Sequence, residues 1–78
     1  MSQQLQQIAH SDQPWAAARA QYALQIIDAV NSGQMSADEG QELMKDLVST
    51  DKLNAESDDM QMKAALIAAV YLAANIPL

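Results

Sequence analysis

Residues 64–74 form an uninterrupted run of eleven apolar side chains, and no other feature limits the fold of this chain so sharply. Consecutive residues of a helix point about 100° apart, so such a run is apolar on every side. A helix of that kind is buried from several directions, as a central core element, an oligomer seam or a membrane segment. Eleven residues fall short of the roughly 18–20 that a spanning helix needs, and Pro77 closes the run. The expectation is a core or interface helix, with no membrane span.

Two more helices can be read upstream. Residues 14–31 open with Ser11, Asp12 and Gln13 ahead of Pro14, a residue suited to a first turn because its missing N–H is not needed there. Trp15, Tyr22, Ile26 and Val30 share one stripe, with Ala23 and Ile27 beside it and Leu24 well round from it. That apolar arc is wider than one helical partner requires. Gly33 is placed to end the helix in the left-handed conformation. Residues 37–50 begin with the capping box Ser36-Ala37-Asp38-Glu39, in which the serine oxygen takes the amide of Glu39 and the glutamate reaches back to the cap amide. Leu43, Met44, Leu47 and Val48 then form a narrow stripe that includes Gly40, which fits either the close approach of a neighbouring helix or simple tolerance of glycine near a helix end. The turn at residues 33–39 resembles turns in many unrelated short helical proteins, small accessory proteins of bacteria and phages among them, which reflects capping chemistry and marks no family.

The apolar run belongs to a third helix over residues 55–75, capped by Asn54 or Ser57, with Ser49 to Asn54 as a connection. Residues 1–13 hold five glutamines and read as a tail, although Leu5, Ile8 and Ala9 have helical spacing. The expected architecture is all-α. It is a small bundle of three main helices, 14–31, 37–50 and 55–75, in one domain (14–78) behind the Gln-rich tail (1–13). The short connections favour antiparallel neighbours.

Charge narrows the range of partners. Ten acidic and four basic residues give a net charge of −6, and nine of the acids lie within residues 28–59. Asp38, Glu42, Asp46, Asp51, Glu56, Asp58 and Asp59 form the main part of this belt. Direct nucleic-acid binding needs clustered Lys or Arg and is not expected. The start of the chain has neither a positive n-region nor an apolar h-region, so a cytoplasmic location, or one inside an assembled particle, is expected rather than classical secretion.

The residues for chemistry are sparse. There is no cysteine, which removes a thiolate nucleophile and sulfur-ligated zinc. His10, the one histidine, sits in the tail beside Ser11 and Asp12. The acids around Asp51 and Asp58 miss the calcium-loop spacing, because Leu53 and Met60 stand where oxygen ligands are needed. With only Gly33 and Gly40 there is no glycine loop for phosphate. No catalytic residue, cofactor site or metal site is expected.

What the chain has in surplus is apolar surface. Trp15, Leu24, Met60, Leu66, Ile67, Val70, Tyr71 and Leu72 are the candidate interface residues, since a two-helix hairpin covers only one side of the third helix. The exposed remainder must be closed by a second chain, or by the N-terminal segment folding back to supply Leu5 and Ile8. The expected function is non-enzymatic: a self-associating interaction or assembly module, a homodimer or higher, serving as a small structural or accessory piece of a larger assembly such as a phage particle. The alternative is an acidic regulator that offers the 28–59 belt to a basic protein surface.

Overall fold

The computed structural model describes residues 2–77, and among these every regular element is an α-helix: α1 (Gln3–Ala9), α2 (Pro14–Asn31), α3 (Ala37–Leu47), α4 (Thr50–Glu56) and α5 (Met60–Ala73). The expected all-helical bundle is present, built from five helices where the periodicity indicated three main ones. No helix among the described residues is long and apolar enough to cross a membrane.

α2 is the centre of the bundle, and α1, α3 and α5 all pack on it. Its buried stripe is Ala16, Ala20, Ala23 and Ile26, while Tyr22, placed on the apolar stripe by periodicity, is half exposed. Alanine explains the shift: a helix face with small side chains admits its neighbours closest, so burial follows the alanines. α2 ends as its sequence implies. Gly33 takes a φ of +82°, the amide of Gln34 donates to the carbonyl of Ala29, and that of Gly33 donates to Val30.

α3 starts at the capping box, with Glu39 N–H donating to Ser36 Oγ at 3.1 Å. The return contact differs from the expected one. The Glu39 carboxylate accepts from the Ser36 hydroxyl at 3.2 Å. Gly40 marks a close approach of α2, since a Cβ there would lie 2.6 Å from Cγ2 of Val30.

The third predicted helix, 55–75, starts too early: it takes in the last two residues of α4, a break at residues 57–59, and then α5. Ser57 is extended (φ −163°, ψ 155°) and its Oγ accepts from the amide of Asp59. Asp59, not Asn54 or Ser57, then caps α5 through Oδ1, which accepts from Met62 N–H at 2.9 Å. The stretch before the break, read as a connection, is α4. Leu53 is its one buried side chain, so there was no apolar period to reveal it. α5 ends with Asn75 in the left-handed region (φ 58°) and the amide of Ile76 donating to the Tyr71 carbonyl, which returns Ile76 to the core.

α1 folds back against α2 and α5 and contributes Leu5, Ile8 and Ala9 to the core. The fully buried large side chains, Leu5, Met44, Leu53, Leu66 and Val70, come from α1, α3, α4 and α5 and meet around the alanine face of α2. The fold-back route to covering the third predicted helix is therefore the one the chain takes on that side.

Candidate protein-interaction surface

The candidate interface residues fall into three groups. Leu66 and Val70 lie wholly inside the chain's own core. Trp15, Leu24, Ile67 and Tyr71 are half-buried and pack against that core from its margin, and the Trp15 indole N–H donates to Gln13 Oε1. Met60 and Leu72 stand out, 77% and 52% exposed.

The last two belong to one surface. Along α5 the exposed positions are Met60, Gln61, Ala64, Ala65, Ala68 and Leu72, which lie on a single side of the helix with Ala68 near its middle. Ile67 and Tyr71 border this face on one edge. It carries no charged side chain; Lys63, the one charged residue within α5, lies at the margin, and its ammonium donates to Asn54 Oδ1. The break before Met60 and the Asn75 turn set its two ends. The surface is therefore a strip one α-helix long, with small residues at the centre and larger apolar ones toward both ends.

A shallow groove of about 220 Å³ flanks the strip, where Leu53 and Asn54 of α4 face Met60, Ala64 and Ile67 of α5. A second groove of about 220 Å³ lies elsewhere, where Ile27 and Val30 of α2, Gly40 and Met44 of α3, and Ala73 converge. Of the methionines on or beside the apolar stripes, Met44 is core, Met35 and Met62 pack against the core, and Met60 alone is largely exposed.

The acidic belt is less uniform than its sequence. Asp46 pairs with Lys52 at 2.6 Å and Glu56 with Arg19 at 3.0 Å. Asp59 is half-buried as the cap of α5. Its carboxyl is held below the ordinary value of 3.8, first by the Met62 amide and then by Gln13 Nε2, which donates to its other oxygen at 3.1 Å. Asp38, Glu42, Asp51 and Asp58 are exposed and make no ion pair among the described residues. His10 closes α1: a carbonyl only accepts, so Nδ1 carries the proton given to the Gln6 carbonyl at 2.8 Å.

Arg19 is a residue whose role was not visible in the sequence. Its guanidinium donates to the Leu47 carbonyl at the end of α3 (2.7 Å) and to Glu56 at the end of α4 (3.0 Å). A cation at two helix C-termini suits both dipoles. Arg19 was the lone base in the first half of the chain, and that isolation was the only signal. Compared with protein-family profiles, with curated proteins and with solved structures, the chain matches none.

Proposed function

We propose that this chain is a non-enzymatic protein–protein interaction module that self-associates through the exposed face of α5. The observation behind this reading is the strip itself: Ala64, Ala65, Ala68 and Leu72, uncharged, on the surface of a chain with a net charge of −6. Two like-charged copies repel least where neither carries charge. The strip also complements itself. If two α5 helices meet antiparallel across Ala68, the bulky Leu72 of one lies over Ala64 and Ala65 of the other, and the same contact repeats by two-fold symmetry.

Size sets the strength. A helix of 14 residues is about 21 Å long and 10–12 Å wide, well short of the roughly 800 Å² per partner found in stable complexes. Association through α5 alone is weak and needs a high local concentration, such as prevails inside a larger assembly. That fits a small structural or accessory component, a phage particle being one such setting. The acidic-regulator reading keeps one specific support, the six exposed carboxylates of the 28–59 belt that make no ion pair among the described residues: Asp28, Asp38, Glu39, Glu42, Asp51 and Asp58.

Sedimentation equilibrium over a wide concentration range tests the proposal. The mass should rise toward a dimer with concentration, and Leu72→Glu should hold the chain monomeric while leaving its helicity unchanged. A mass that is constant at every concentration would contradict it.

A further inference from the structure

We infer that α4 is a releasable strap, and that its opening widens the apolar face which α5 offers to a second copy. The inference deepens the self-association reading, and its second half rests on that reading.

A helix of seven residues cannot hold itself together in water, where isolated helices shorter than about 12–15 residues are marginal. α4 has little else of its own to rely on. Ser49 at its start makes no side-chain cap bond, and Leu53 is its one buried residue. The remaining ties are polar. Glu56 binds Arg19 of α2 at 3.0 Å, Lys52 binds Asp46 of α3 at 2.6 Å, and Asn54 accepts from Lys63 of α5 at 2.8 Å. The chain has four basic residues, and three of them make these ties. Both ion pairs found among the described residues join α4 to a neighbouring helix. An element held by one leucine and solvent-edged polar bonds opens as a unit more readily than one held by apolar packing.

Opening changes what α5 presents. Leu53 and Asn54 face Met60, Lys63, Ala64 and Ile67 across the groove on the flank of the strip. With α4 released, that flank is uncovered and the strip extends from Ala64 and Ala68 around to Ile67. A second copy then finds a wider apolar face, so opening and association favour each other, as linkage requires.

Amide hydrogen exchange on the full-length chain tests both halves. In dilute solution, residues 53–57 should exchange together and faster than α1, α2 or α5. Glu56→Gln removes one ion pair and should accelerate them by about 1.4- to 5-fold with α2 unchanged. Leu53→Ala should leave them nearly unprotected while α2 and α5 keep their protection. At high concentration α5 should gain protection while α4 loses it. Protection of α4 equal to that of α2 in dilute solution overturns the strap, and protection of α4 that rises with concentration overturns the coupling. A chain that is monomeric at every concentration overturns the seam, and the coupling with it; the dilute exchange result still decides whether α4 opens.

Discussion

α1 and α4 are both seven-residue helices, each too short to persist alone, and they are held in opposite ways. α1 brings Leu5, Ile8 and Ala9 into the space between α2 and α5, and its exposed side is glutamine. α4 brings only Leu53 and relies on Arg19, Asp46 and Lys63 for the rest. Apolar burial gives a short helix a place in the cooperative core. Polar ties at the solvent edge give it a position that it can leave, because an exposed ion pair contributes only about 0.2–1 kcal/mol.

The largest effect expected from this contrast is at Leu5. Leu5→Ala should lower the unfolding free energy by about 2–5 kcal/mol, because the side chain is fully buried and its removal leaves a cavity between three helices. Urea denaturation followed by circular dichroism measures it. Leu53→Ala removes an equally buried leucine but should cost less than about 2 kcal/mol, the floor of that range, since α4 can open locally and cap the loss. Equal effects at the two sites would erase the distinction between α1 and α4.

The helix starts sharpen the comparison further. Ser36→Ala should cost about 0.5–2 kcal/mol, because its oxygen accepts from Glu39 N–H. Ser49→Ala, at the start of α4, should cost almost nothing in the same assay, because Ser49 makes no cap bond. The remaining effect is electrostatic and shows only at acid pH. Asp59 has a carboxyl depressed below 3.8 in the fold, chiefly by the Met62 amide, so its contribution is complete at neutral pH. That contribution is lost as pH falls below the unfolded value and through the folded one. Asp59→Asn keeps a capping oxygen and should flatten this acid limb of a stability-against-pH curve, whereas an unchanged limb would remove Asp59 from the account.

Which parts of this fold could be read from the chain follows from the same physics. α2 and α3 were legible because each combines a periodic apolar stripe with a strong end signal: Pro14 and Gly33 for one, Ser36 and Glu39 for the other. The break before α5 was not, because Ser57, Asp58 and Asp59 suit a first helical turn as well as a cap, and only the extended Ser57 backbone decides between them. α4 was hidden because one leucine makes no period. In α1, Leu5 and Ile8 had helical spacing, but whether they would reach the core depended on tertiary packing. The same limit applied to the surface. Sequence identified α5 as apolar all round, and only the packed fold separates the buried Leu66 and Val70 from the exposed Ala68 and Leu72.

The proposed antiparallel α5 seam can be tested directly by cross-linking, because the chain has no cysteine of its own. Helices in contact through small residues approach to axial separations of about 8–10 Å, close enough for a disulfide between residues at the two-fold axis. Ala68→Cys places a thiol at that axis, and Ala18→Cys, on the exposed side of α2, serves as the control. Under mild oxidation the rate of covalent dimer formation is the measurement. The account predicts that Ala68→Cys forms the dimer much faster than Ala18→Cys, and that Leu72→Glu in the same chain abolishes the difference. Equal rates for the two single-cysteine variants would contradict the seam.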